Sequence, residues 1–538
     1  MRRLSCLIHC ARSFACLVIA AAALAAATRA QTPASKSANP EFRADRAYQA
    51  AMKNGPLSLR AFLAVFPKGA DLHVHLSGAV YAETFIRDAG EEHLCIDPVA
   101  IGFALTKDQK PMKEPCGKDL IPAAELSGNL SPDDQTLYDR LIDLISMRSF
   151  VPASGVSGHD QFFATFGRFP WLDTTLHNGE WVDEVASRAA AQNQQYLELM
   201  ETPPHSNANQ VADKLGWNPD LPTLQKDLVK AGLFNEVAAD QADVRSAEAQ
   251  RRQIEHCETP RAGPACKVEI RYIYPILRAA SPQRVFAQTL LGFETIRQST
   301  EGHEPGFVGI NFVQPEDGFV SMRDYTLQMK MLDYLHSVYP KVHISLHAGE
   351  LAPGLVPPEG LRFHIRQAVE LGHAERIGHG VDAMYEDDAP GLLNELAQKH
   401  VMIEINLSSN EGILGIKGDE HPFPLYRAAH VPVALSTDDE GVSRIDITHE
   451  YVRAALDYHL TYHDLKVIAR TGMEHSFLPG DSLWAAPDVF TNPAAPCKGE
   501  SFGQENPAPG CKALLDSSEK AAAQWELERR FREFEARF

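Results

Sequence analysis

A (β/α)8 barrel of TIM type, with a long insert after strand 1, a helical N-terminal arm and a C-terminal extension, is the α/β fold that this sequence predicts. Three observations carry the expectation. Eight short apolar runs end in polar residues, and helix-like stretches separate them. Eight is the number of parallel strands that closes such a barrel. Histidines and aspartates gather at the carboxyl ends of these runs, where barrels of this kind build their sites.

The runs cover residues 70–76, 195–202, 268–277, 306–313, 342–347, 376–379, 401–407 and 431–437. Helical patterns such as 324–337 and 389–399 lie between them. Two connections, about 79–193 and 203–267, are too long for plain turns and read as inserts. Residues 31–66 form a helical arm, 67–480 the barrel, and 481–538 an extension with a helix over 449–469 before it and a charged helix over 517–538.

Residues 1–30 are read as targeting rather than fold. Arg2 and Arg3 precede an apolar run over 13–27, and Thr28-Arg29-Ala30 has the small-x-small pattern of a cleavage site. Fifteen apolar residues are too few to span a bilayer. The expected location is secreted or periplasmic, with no membrane contact after cleavage. Six cysteines then remain, in three local pairs: Cys95/Cys116, Cys257/Cys266 and Cys497/Cys511. No CxxC occurs, so local disulfides in an oxidising compartment are expected. Asn129 and Asn406 are the N-x-S/T positions, one before Ser-Pro and one inside a strand-like run.

The chain has 538 residues, 51 Lys+Arg against 71 Asp+Glu, and a formal charge of -20. Binding a polyanion needs clustered positive charge, so nucleic acid is excluded as a general partner. The sequence leaves the oligomeric state open, a homodimer included.

His73 and His75 stand two apart on the first run, so both point to one side of a strand. His347, His379 and the pair Asp438-Asp439 end the fifth, sixth and eighth runs. Three histidines and a carboxylate suit Zn²⁺ with a position left for water. Glu350 follows His347 across an Ala-Gly step that lets the chain turn back toward the metal, where an acid can protonate a substrate nitrogen. Phe162, Phe163, Phe166 and Phe169 recur at near-helical spacing in the first insert, as insert core or as an apolar lid. Strand four carries no Lys, which argues against a binuclear site.

The segments PKGADLHVHLSGA (67–79), SLHAGE (345–350), RIGHG (376–380), LSTDD (435–439) and THEY (448–451) occur in one order and resemble the adenosine deaminase family over about residues 60–480. The signal segment, the long first insert and the Pro-Lys-Gly lead-in are similar to its secreted, growth-factor-related branch. The resemblance implies one Zn²⁺ per chain on His73, His75, His347 and Asp438. It implies that Glu350 protonates purine N1, that His379 orients and helps deprotonate the attacking water, and that Asp439 holds N7. The segment 309–317 matches the one whose backbone N–H meets N3, with Gln314 where Gly is usual and a side chain expected to narrow the pocket. The implied reaction is hydrolytic deamination of adenosine and 2′-deoxyadenosine to inosine and ammonia.

Three departures touch the substrate end and strand four. Ser77 stands where the family has Asp near the ribose 5′ end. Glu440-Gly441 replaces a Pro after the Asp pair, and Glu440 is an alternative source of the missing carboxylate. Asn311 replaces an Asp on strand four. Adenine, a 5′-modified adenosine and AMP are rival substrates, with Arg87 and Arg148 as the phosphate-clamp candidates; another mononuclear amidohydrolase activity is a further alternative. His256-Cys257-Glu258 matches half of a different zinc deaminase motif but lacks its P-C-x-x-C partner, so His256 is read as a surface residue beside a disulfide.

Overall fold

The computed structural model describes residues 39–127, 130–148, 150–151, 155–169, 172, 174–302 and 306–538. The signal segment 1–30 and Asn129 lie outside them.

Eight strands form one parallel sheet in sequential order. They are β1 (Gly69–His75), β2 (Gln194–Met200), β3 (Glu269–Leu277), β4 (Phe307–Val313), β5 (His343–Ala348), β6 (Arg376–His379), β7 (Met402–Ile405) and β8 (Val433–Leu435). Each run expected from the sequence holds one strand. The strands are almost wholly buried, as befits a parallel sheet covered by helices. Beyond β8 the ring is drawn together at its carboxyl rim. Asp438 N–H donates to the His73 carbonyl at 2.9 Å, and His75 N–H donates to the Asp438 carbonyl at 3.2 Å. The closure therefore sets Asp438 between the two strand-one histidines.

The first insert holds helix Ala82–Glu91, a three-stranded sheet of Cys95–Asp97, Gly102–Phe103 and Ile121–Pro122, and helices Pro132–Ile145 and Gly158–Thr165. Helix Thr174–Ala191 then leads into β2. The second long connection carries helices Ser206–Leu215, Leu221–Lys230 and Val237–Ile254. All three local cysteine pairs are disulfides, with Cα–Cα separations of 5.7, 5.4 and 4.4 Å in chain order.

The arm is two helices, Pro40–Lys53 and Pro56–Ala64, parted at Gly55, whose φ of +98° suits glycine. The helix expected over 449–469 is also two, Ile447–Asp457 and Tyr462–Glu474. The break follows from local chemistry: Thr461 and Asp464 form a reciprocal capping box that starts a new helix. The charged helix begins at Glu519, capped by Ser518, after a separate helix Pro509–Ser517. This last helix (Glu519–Glu535) lies against the amino ends of the barrel. Gln195 donates to the Ala523 carbonyl at 2.7 Å, and Arg530 donates to the Gln194 carbonyl at 3.1 Å. Phe62, Phe66, Tyr462 and Phe534 pack as an aromatic cluster that ties arm to extension. The carboxyl rim is left for the site.

Candidate active site

The ends of β1 and β5 and the turn after β8 bring His73, His75, His347 and Asp438 together, with one ligand atom of each within 4.8 Å of the others. His73 Nδ1 lies 2.6 Å from Glu404 Oε2 and donates to it. Its Nε2 is buried with no hydrogen-bond partner, 3.5 Å from Asp438 Oδ1. His75 Nε2 is 3.4 Å from the same oxygen and 3.2 Å from His347 Nε2. Asn311 Oδ1 accepts from both the backbone N–H and the Nδ1–H of His347, at 3.0 and 2.8 Å. Glu404 and Asn311 thus turn two Nε2 lone pairs into one space, the arrangement that metal-ligating histidines need.

The electrostatics fit a cation there. Burial holds His75 down to about 4 and His347 well below its ordinary value, so both rings are neutral ligands. Burial opposes charge on His73 as well, but Asp438 and Glu404 outweigh it and raise that ring to about 10. Burial also works to raise Asp438, yet the His73 hydrogen bond and the neighbouring imidazoles bring it well below the usual carboxylate range. Three buried or half-buried rings and the Asp438 carboxylate, with His73 Nε2 unpaired and Glu404 behind His73, are a donor set that suits zinc.

Glu350 is placed by the turn after β5. Gly349 has φ +77°, and a Cβ there would lie 2.5 Å from Asp382 Oδ1. The N–H groups of Gly349 and Glu350 donate to the two oxygens of Glu316, at 3.0 and 2.8 Å. Burial, then the nearby Asp438 and Glu316, push the Glu350 carboxyl well above its ordinary value, which favours its protonated form. Asp439 is raised in the same way, by burial and then by Asp438. Gly78 admits it: a Cβ at that position would meet Asp439 Oδ1 at 1.5 Å.

His379 sits at the end of β6 with φ +70°. Its Nε2 is 3.7 Å from Asp438 Oδ2, and its Nδ1 is 3.8 Å from Glu350 Oε1. A chain of hydrogen bonds fixes the ring. Phe423 N–H donates to His421 Nδ1 at 3.1 Å, so the neutral His421 ring bears its proton on Nε2 and donates to Asn410 Oδ1 at 3.0 Å. The Asn410 amide then donates to His379 Nδ1 at 2.9 Å, which leaves the His379 proton on Nε2. Asp438 and Gln314 also hold left-handed backbone, φ +61° and +83°. Such strained residues gather at functional sites.

A cavity of about 300 Å³ opens over this cluster. Glu350, His379, Asp438 and Asp439 form its floor with His75 and His347; Ser77 and Gln314 line it, and Phe162, Phe163 and Phe166 face it from the insert. Phe162 also packs with Ile413 and Val442, and Phe169 stacks on Phe85 at 4.3 Å, so the four phenylalanines divide between lining and core. No Lys or Arg is among the described lining residues. Arg87 pairs with Asp88 and Glu180, and Arg148 with Asp139 and Asp143, away from the cavity.

The Gln314 side chain lines the cavity, and its carbonyl accepts from Ala279 N–H at 2.9 Å across to the loop after β3. One alternative at the substrate end needs correction. Glu440 does not replace the missing carboxylate of position 77. It is buried against Arg188, 2.8 Å from its Nε, and does not line the cavity. Sequence reasoning missed Glu404, Glu316 and the Asn410–His421 pair. A lone Glu inside the apolar run Met402–Ile405 was the available signal for the first; nothing local marks the others.

An eight-stranded parallel barrel carrying a three-histidine, one-aspartate cluster at its carboxyl rim defines a protein of the metal-dependent amidohydrolase class. The family model described as adenosine deaminase matches residues 180–485, more than half of the chain, and the chain belongs to the adenosine deaminase family. Adenosine deaminases of Clostridium perfringens strains are 31% identical over 187 residues, covering 34% of this chain and 51% of theirs, and 34% identical over 135 residues, covering 25% and 37%. The chain thus spans about half the length, or less, of these curated relatives. Among solved structures, adenine deaminase from Arthrobacter aurescens has a TM-score of 0.49 at 17% identity, covering 77% of this chain and 94% of its own. The N6-methyl-AMP deaminase of Arabidopsis thaliana has a TM-score of 0.44 at 20% identity, covering 78% and 94%.

Proposed function

We propose that the protein is a zinc-dependent deaminase of adenosine and 2′-deoxyadenosine, working outside the cytoplasm with one zinc per chain. The observation that carries the reading is the meeting of Glu350, its carboxyl pushed well above its ordinary value by burial, with the His/Asp cluster beneath a cavity that has no Lys or Arg among its described lining residues. Zinc held by His73, His75, His347 and Asp438 supplies the Lewis acidity that makes water a nucleophile at neutral pH.

The chain's own groups do the rest. Glu350 gives its proton to purine N1 as the water oxygen adds to C6, so charge on the ring is cancelled while the bond forms. Glu350, left as a carboxylate, takes up the proton that the water gives up and passes it to the amino nitrogen, so the C6–N bond breaks and ammonia leaves from the tetrahedral carbon. N7 is an acceptor, and Asp439, whose protonated form burial favours, donates to it. The Gln314 N–H serves N3. His379 presents Nε2–H toward Asp438 and the attacking oxygen, so in the resting site it orients rather than removes a proton. The phenylalanine face excludes bulk water from the base.

Ser77 favours a second reading of the same site, a tolerance for 5′-modified adenosines, because no acid stands there and Glu440 is sequestered by Arg188. Three disulfides and the segment 1–30 support an extracytoplasmic location, and the secreted branch of the family is the one that fits. Among the described residues no helix is long and apolar enough to cross a membrane. Ammonia release from adenosine, 2′-deoxyadenosine, adenine, AMP and methylthioadenosine tests the reading. Adenosine, its 2′-deoxy form or methylthioadenosine should lead; a preference for adenine or AMP overturns it.

A further inference from the structure

Away from the barrel rim, two helices bring a second set of ligand-type side chains together. Helix Ala82–Glu91, which follows the metal-ligand strand, offers Asp88 and Glu91. Helix Thr174–Ala191, which leads into β2, offers His177 and Glu180. Both pairs have i,i+3 spacing, so each lies on one helix face. One ligand atom from each of the four lies within 4.8 Å of the others.

The acids alone would be a solvated ion-pair cluster, and Arg87 does serve them. Its Nη2 is 2.6 Å from Asp88 and 2.8 Å from Glu180, and its Nε is 3.6 Å from Glu91. His177 is what an ion-pair cluster does not explain. Its side chain is 4% exposed, and neither ring nitrogen has a hydrogen-bond partner. Nδ1 faces Asp88 Oδ1 at 3.8 Å and Glu180 Oε2 at 3.7 Å, while Nε2 faces Glu92 Oε1 at 3.5 Å. These separations exceed hydrogen-bond length. The two Nδ1 separations match donors that share an ion bound about 2.0–2.2 Å from each. The barrel cluster has the same character, with ligand atoms 3.2 to 3.5 Å apart around an unpaired Nε2.

We propose that Asp88, Glu91, His177 and Glu180 form a second divalent-cation site that fastens the start of the first insert to the helix entering β2. An imidazole with three carboxylates selects a cation of the Mn²⁺ or Zn²⁺ kind over Mg²⁺ or Ca²⁺, which prefer oxygen alone. His177 binds through Nδ1, and its Nε2–H turns to Glu92. The Trp181 indole N–H holds the outer oxygen of Asp88 at 2.7 Å, which keeps the inner oxygen aimed at the site. Arg87, half exposed, swings aside when the cation enters, so the site exchanges its ion readily while the barrel site does not. The proposal does not depend on which purine the barrel accepts.

The test is titration of protein that holds one zinc per chain with Mn²⁺, followed by loss of the free-ion electron paramagnetic resonance signal and by the melting temperature. Wild type is expected to take up one further equivalent and to melt higher with Mn²⁺. His177→Gln and Glu180→Gln should each weaken uptake at least tenfold and abolish the Mn²⁺-dependent rise, with zinc content at the barrel unchanged. Arg87→Gln should tighten uptake, because a competing charge is removed; it also keeps the test open if a His177 variant folds poorly. No uptake by wild type and Arg87→Gln, which would mark an ion-pair cluster only, overturns the proposal. So does undiminished uptake by His177→Gln.

Discussion

Glu404 Oε2 lies 2.6 Å from His73 Nδ1, and this contact fixes which nitrogen of the ring faces Asp438. Glu404 is itself held by Arg376 Nε at 2.7 Å and by the Ser345 hydroxyl at 3.1 Å. All three of Glu404, Arg376 and His73 are fully buried.

Removing that partner should release the ring. Glu404→Leu is expected to weaken zinc affinity by about 10- to 100-fold, the usual cost of losing a carboxylate behind a histidine ligand. Competition with a chelating dye measures it, and an unchanged affinity would show that packing alone orients His73.

The Asn410 amide gives a sharper handle on His379. An Asp at position 410 has no N–H to donate and would accept a hydrogen bond from Nδ1–H, which moves the ring proton from Nε2 to Nδ1. Asn410→Asp should therefore lower kcat with little change in KM, and ¹⁵N spectra should report the opposite tautomer at His379. His421→Gln, whose amide can replace both contacts, should restore more activity than His421→Leu.

Ser77 bears on selectivity. A lost hydrogen bond to a charged group is worth roughly 1.5–3 kcal/mol, about 10- to 150-fold. With Ser77 in the acid's place and Glu440 paired to Arg188, kcat/KM for adenosine and 5′-deoxyadenosine should be nearly equal. A preference for adenosine of about a hundred-fold, the upper part of that range, would show that another group holds the 5′-hydroxyl.

Glu201 carries a pH signature. Burial, then the charge of Asp243, raise it to about 8, against a hydrogen bond from Asn178 at 2.9 Å that lowers it. An acid with a raised folded pKa costs stability only as it ionises. Its penalty is absent below the unfolded value of 4.5, grows as pH rises, and is complete above about 8. Glu201→Gln should match wild type in unfolding free energy near pH 4 and exceed it near pH 9 by about 2 kcal/mol or more, given about 1.4 kcal/mol per pKa unit. Parallel stability curves across that range would count against a buried ionisation here.

The barrel and the meeting of His73, His75, His347 and Asp438 were legible because their signals are local. Strand runs show as apolar periodicity, and His73 with His75 declare a shared face by spacing alone. What lay hidden depends on distant pairing. Asn410 and His421 sit on separate elements and meet His379 only after folding. Glu316 reads as one more acid of a turn until its two oxygens are seen to hold Gly349 and Glu350. The helix break before Tyr462 was missed because apolar spacing runs on through it, while the Thr461–Asp464 capping box decides the boundary. Where Gln314 points is set by Ala279, thirty-five residues away in sequence.

The central claim is that Glu350 donates the proton that makes a zinc-bearing barrel a deaminase. Ammonia and inosine formed from adenosine by wild type and by Glu350→Gln, at equal zinc content, test it most directly. Wild type should release one ammonia per inosine, and the variant should fold, keep its zinc and turn over at least ~10²-fold more slowly. No ammonia from the wild-type protein, or near-normal turnover by the variant, would contradict it.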